Sequence, residues 1–102
     1  SQLDNTDNYT YRFLDQVQVR GKQNFVDIFE IYEGDSQDFK ELKNQTKTEF
    51  ENGIWFYLQE NFTAAEECFK RVLQINERDL ATRIYLERCQ VSQQTTLRLQ
   101  RQ

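Results

Sequence analysis

The stretch FENGIWFYLQENFTAAEECFKRVLQINERD, from Phe50 to Asp79, constrains this chain more than any other. Gly53 is followed by Phe56, Phe62 marks an interruption, and Ala65, Phe69 and Val72 then recur at helical spacing. The physical reading is steric. Small side chains at Gly53 and Ala65 let two antiparallel helices approach closely, and Phe56 and Phe69 fill the space around that contact. A chain with this segment is expected to contain a helical hairpin.

The helical period begins earlier. From about Gln37 to Glu60, the residues Phe39, Leu42, Thr46, Phe50, Gly53 and Tyr57 form one stripe, widened by Ile54 and Phe56. Gly34, Asp35 and Ser36 precede it and can cap its start. Lys40, Lys43, Asn44 and Lys47 give the first half a polar face, expected to be exposed. After the break at residues 59–62, Thr63 with Glu66 fits a capping box. Ala65, Cys68, Phe69, Val72 and Leu73 then form an apolar face. Asp79 can cap a third helix whose inner stripe is expected to be Ala81, Ile84, Tyr85 and Cys89.

Upstream the period is two. In residues 11–20, Val17 and Val19 alternate with Gln16 and Gln18, the mark of a half-buried strand. Arg20-Gly21-Lys22-Gln23-Asn24 reads as a turn, with Gly21 free to take positive φ. A second strand is expected from Phe25 to Tyr32. Val26 and Ile28 fall on one face, and Phe25, Phe29 and Ile31 on the other. Apolar residues on both faces imply a strand covered twice or one separated from its neighbours. An isolated two-stranded hairpin is marginal in water, so this one must pack on the helices or pair with something else.

The expected fold is therefore α+β: an N-terminal β-hairpin followed by two to three antiparallel helices. Residues 1–34 form the hairpin region and 35–91 the helical region. Residues 92–102 are a Gln-rich polar tail, expected to fray or to extend the third helix weakly.

Composition narrows the function. Only 37% of the 102 residues are apolar, so the core is thin, and an aromatic share of 14% compensates with large side chains. A net charge of -4 argues against a nucleic-acid partner. No stretch is long and apolar enough for a membrane span, and no signal-peptide core opens the chain. Two cysteines, Cys68 and Cys89, fall on apolar helical faces and read as buried thiols in a reducing, cytoplasmic setting. With no His and only two Cys, no metal site is expected. Asn-x-Thr triplets at Asn8, Asn44 and Asn61 would be glycosylation acceptors only in a secreted chain. The chain opens on Ser1 and contains no Met, which suggests a segment of something longer.

The pattern at Gly53, Phe56, Phe62, Ala65, Phe69 and Val72 resembles the tetratricopeptide repeat, a helix–turn–helix unit. It departs from that family in three ways. Glu77 stands where Pro is usual, Val72 takes a small-residue position, and Trp55 lies beside the usual aromatic position. One repeat is visible where a solenoid normally needs three or more. The resemblance implies a protein-interaction role, with a peptide or protein partner for the helices.

A second resemblance lies in YRFLDQVQVRGKQNFVDIFEIYEG. Arg12, Leu14-Asp15, Val17, Val19-Arg20-Gly21-Lys22, Val26, Ile28-Phe29-Glu30 and Tyr32 resemble the last two strands of class III adenylate and guanylate cyclase domains. Tyr85-Leu86-Glu87-Arg88-Cys89 stands where bacterial members often carry a helical extension. The resemblance implies a non-catalytic C-terminal portion of a cyclic-nucleotide-forming enzyme. Its partner would be the rest of the cyclase domain, and a homodimer through the hairpin is also expected. The family's metal-binding aspartates lie upstream of such a stretch, so no catalytic residue can be placed here. The parent would use Mg or Mn with ATP or GTP, with no cofactor in this portion. Arg20 stands at the position that contacts the nucleotide's terminal phosphates, with Lys22 as a second candidate. A free-standing interaction module is the competing expectation.

Overall fold

The computed structural model describes residues 10–101, with side chains through Thr95. The lead-in over residues 1–9, including the Asn8 triplet, lies outside the described residues. Two strands, β1 (Tyr11–Gln18) and β2 (Phe25–Ile31), form an antiparallel hairpin. Three helices follow: α1 (Gln37–Leu58), α2 (Phe62–Ile75) and α3 (Leu80–Arg101). This is the expected α+β architecture, with three helices rather than two.

The strand register pairs Tyr11 with Ile31, Phe13 with Phe29, Asp15 with Ile28 and Val17 with Val26. A bulge at Leu14 interrupts it. Its consequences run through the docking of the hairpin. The Phe13 amide donates to the Glu51 carboxylate of α1 at 2.6 Å, and the Tyr85 hydroxyl of α3 donates to the Leu14 carbonyl at 3.0 Å. The outer edge of β1 thus satisfies its backbone groups on helical side chains. Trp55 of α1 stacks on Phe13, ring centroids 4.5 Å apart and nearly parallel.

The core lies between the three helices and β1. Phe13, Phe50, Ile54, Ala65, Phe69, Val72, Tyr85 and Cys89 form it. Gly53 sits where α1 and α2 cross, and an added Cβ would lie 2.6 Å from Phe69 Cε1. The glycine is there because nothing larger fits against the ring.

Several local expectations need correction. The cap of α2 is Asn61, whose side chain accepts from the Ala64 amide, rather than Thr63. Thr63 and Glu66 instead bond Gln93 of α3. Lys43 does not belong to an exposed polar lead: it is buried between Glu30 and Asp35. Asn44 accepts the Tyr32 hydroxyl, and Lys47 lies over the Tyr11 ring at 3.8 Å. Ile84 points outward, and Thr82, Tyr85 and Cys89 form the inner face of α3. Of the two expectations for the polar tail, extension of the third helix holds: α3 continues to Arg101.

Candidate functional site

Two regions hold the side chains singled out by sequence, and an ionic network joins them. The first is the hairpin tip. The Val19 amide donates to the Asn24 carbonyl at 2.9 Å and the Lys22 amide to the Val19 carbonyl at 3.0 Å. Gly21 takes φ of 75°, the left-handed conformation that glycine adopts without strain. Gln18 Nε2 donates to the Lys22 carbonyl and ties down the turn. Arg20 and Lys22 are both exposed on it, and among the described residues neither is in an ion pair. Residues 18–23 line a shallow concavity. Chemically, the tip offers two unengaged cations and a fixed backbone, which suits contact with an anion presented by a larger body.

The second region is the α1–α2 contact. Gly53, Ala65, Phe69 and Val72 are buried together, and Phe56 and Phe62 pack partly buried against them. These side chains hold helices together and present no chemistry. They form a packing surface.

The network between these regions was not foreseen. Arg12 on β1 is fully buried. Its two terminal nitrogens meet Asp79 at 2.7 and 2.8 Å, and its Nε meets Glu30 at 2.6 Å. The guanidinium lies 3.9 Å from the centre of the Phe50 ring, a cation–π contact inside the core. Glu30 also accepts from Lys43, which reaches on to Asp35. Burial alone would raise the Asp79 carboxyl, but the bidentate bond and the charge of Arg12 outweigh it and hold the group below the usual carboxylate range. Burial works against the Arg12 charge, and its bonds to Asp79 and Glu30 outweigh that and raise its pKa. One signal was available in the sequence. A charged residue amid Tyr11, Phe13 and Leu14, facing Glu30 across a hairpin, needs a partner if the strand is buried.

A cleft of about 460 Å³ lies beside this network, bounded by Phe39, Lys43, Arg78 and Leu80. Arg78 stacks over the Phe39 ring there at 4.8 Å. The acids on its wall are already engaged, Glu30 and Asp79 by Arg12 and Asp35 by Lys43. Among the described residues, no three His, Cys, Asp or Glu side chains stand close enough to hold a metal ion.

No family model and no solved structure matches the chain. Over 94 residues, 92% of this chain, it is 32% identical to the terminal-differentiation specific adenylate cyclase of Dictyostelium discoideum. The chain spans 4% of that protein's length. It is thus related to a segment of an adenylate cyclase. The similarity covers hairpin and helices together, the same two parts that Arg12 and Asp79 tie into one body. Among the described residues no helix is long and apolar enough to cross a membrane.

Proposed function

We propose that this chain is the closing hairpin and helical extension of a class III nucleotidyl cyclase, non-catalytic by itself, serving a regulatory or coupling role in cyclic-nucleotide signalling. The observation that carries the reading is the continuous similarity to a cyclase across strands and helices. The buried Arg12–Asp79 pair supports it, because it makes the two parts mechanically continuous. The helices are a tetratricopeptide-like hairpin, supported by the Gly53–Phe69 approach.

In the parent, Arg20 contacts the terminal phosphates of the nucleotide, and Lys22 adds a second positive charge. Arg suits this task because its planar fork meets phosphate oxygens in pairs. The divalent metal and the attacking ribose are handled by residues outside this segment. The helices set where the hairpin tip stands, since β1 is fixed to α1 by Glu51 and Trp55, to the segment just before α3 by Asp79, and to α3 by Tyr85.

The test uses two proteins. The 102-residue chain, given ATP or GTP with Mn²⁺ or Mg²⁺, is expected to form no cyclic nucleotide. A longer cyclase carrying this segment is expected to lose turnover on Arg20→Ala, chiefly through KM for the nucleotide, with an unaltered circular dichroism spectrum. Turnover by the short chain, or unchanged kinetics in the long variant, would overturn the reading.

A further inference from the structure

The two edges of the hairpin are in opposite situations. The edge of β1 is engaged by Glu51 and Tyr85. Among the described residues the edge of β2 has no strand partner, and the strand exposes Phe25, Val26, Ile28, Phe29 and Ile31 on its two faces, with Ile31 70% exposed. A strand with a free ladder edge and uncovered apolar side chains on both faces is a template for strand addition.

We propose that the β2 edge pairs with the β2 edge of a second copy of this chain, antiparallel about a two-fold axis at Ile28, giving a four-stranded sheet. Three observations select this occupant and this register. The first is hydrogen-bond phase. Val19 donates to Asn24 and Thr10 accepts from Tyr32, so the even-numbered residues of β2 turn their backbone groups toward β1. The amides and carbonyls of Phe25, Asp27, Phe29 and Ile31 therefore point outward. An axis at Ile28 joins Asp27 to Phe29 of the other copy and Phe25 to its Ile31, each as a bonded pair, using every outward group of the strand.

The second is side-chain pairing. In that register Glu30 falls opposite Val26 of the other copy, and Asp27 opposite Phe29. No two acids stand directly opposite one another, and Ile28 meets Ile28 across the axis.

The third is charge complementarity beyond the strand ends. The hairpin has a basic tip, with Arg20 and Lys22 exposed, and an acidic base at Glu33 and Asp35. Antiparallel pairing turns the Lys22 end of each hairpin toward the Glu33 end of the other copy, and the symmetry makes the approach twice. Glu33 is 70% exposed and its own lysine is 3.5 Å away, so it is open to a second cation. This inference concerns the chain by itself and does not require the cyclase reading; in a longer cyclase the same edge is the one open to the rest of the sheet.

The experiment is cysteine cross-linking on the 102-residue chain, with sedimentation velocity over a concentration series. The native thiols do not interfere, because Cys68 and Cys89 are buried. Across the axis the two Ile28 Cα atoms would be about 4.5 Å apart, as in any non-bonded antiparallel pair, which is within disulfide reach. Ile28→Cys is expected to form a covalent dimer under mild oxidation. Val26→Cys is not, since the two Val26 positions are offset along the strand by roughly 13 Å. Lys22→Glu is expected to weaken the uncross-linked dimer by about three- to tenfold in Kd, and adding Glu33→Lys to restore it. Circular dichroism on each variant confirms retained helix. A monomer at every concentration, cross-linking through Val26→Cys equal to that through Ile28→Cys, or Kd indifferent to Lys22→Glu would overturn the proposal. None of these results bears on nucleotide turnover in a longer cyclase.

Discussion

Arg12 and Asp79 stand 67 positions apart in sequence, yet the guanidinium of one grips both carboxylate oxygens of the other in the interior. Neither charge has water to fall back on. Removing Arg12 leaves Asp79 buried and uncompensated, at a cost of about 3–5 kcal/mol, whereas removing Asp79 leaves Arg12 its bond to Glu30. Arg12→Ala is expected to lower stability by that amount, a large share of what a small domain possesses, and Asp79→Ala by less. Replacing both with apolar residues of similar volume should cost much less. Urea denaturation of the single and double variants checks this, and additive losses would contradict a direct pair.

The same pair gives stability a pH dependence of definite sign. Asp79 is held below the ordinary carboxylate range when folded and returns to it when unfolded. Its contribution is therefore fully present above that ordinary range, roughly pH 4, and is lost as pH falls through the lowered folded value. Glu30 faces the pair from β2 and helps hold Arg12 charged, Lys43 of α1 bonds Glu30, and the Thr82 amide bonds the Asp79 carboxylate. The urea midpoint is expected to fall steeply below about pH 4, and Asp79→Asn, already destabilised at neutral pH, to show a shallower acid limb. Titration from pH 7 to 3 measures both.

Most of the architecture was legible because it rests on local periodicity. The stripe through Phe50, Ala65 and Phe69 announces its own geometry, whereas the alternation at Val17 and Val19 marks a strand but not its buried part: Val17 is exposed, Val19 lies beyond β1, and Arg12 and Phe13 are buried instead. The buried ionic network was not legible, because its members come from two strands, one helix and two connecting segments, and each looks like an ordinary surface charge where it stands. Lys43 illustrates the point. Its helical neighbours are polar, and only the return of Glu30 and Asp35 on the preceding strand and loop makes its position interior. The cap of α2 failed for a different reason. Asn61 and Thr63 both satisfy capping chemistry, and the choice is made by the turn before them. The candidate phosphate contact at Arg20 was placed by resemblance, and its exposed turn alone does not distinguish it from a solvated charge.

Gly53→Ala tests the helix crossing. In an isolated helix the change would favour folding by about 1 kcal/mol. Here the new methyl meets the Phe69 ring, which is buried on all sides and cannot swing away. Overpacking of this kind costs roughly 1–3 kcal/mol, so the net effect should be destabilising. A raised thermal midpoint would mean that the helices can separate freely. Phe69→Leu in the same chain should recover part of the loss.

The two thiols should behave as core groups. Burial pushes both Cys68 and Cys89 up to about 11. At neutral pH almost no thiolate exists to attack a disulfide reagent. Native protein is expected to react with an aromatic disulfide orders of magnitude more slowly than the urea-unfolded chain, at both positions. Fast labelling in the native state would show local opening, of the α1–α2 contact at Cys68 or of the α2–α3 contact at Cys89.

Glu60 marks the last test. It closes α1 at φ of 63°, in the left-handed region where non-glycine residues are strained. The surrounding bonds explain why it stays. The Glu60 amide donates to the Tyr57 carbonyl and the Asn61 amide to the Phe56 carbonyl, each at 2.9 Å, the two bonds of a Schellman motif. That motif usually places glycine where Glu60 stands, and the side chain here is exposed. Glu60→Gly should relieve about 1 kcal/mol of backbone strain, partly offset by the greater freedom of glycine in the unfolded chain. A net gain of roughly 0.5 kcal/mol is expected, seen as a higher urea midpoint with an unchanged slope. Glu60→Ala keeps the strain and should gain nothing, which separates relief of backbone strain from loss of the carboxylate.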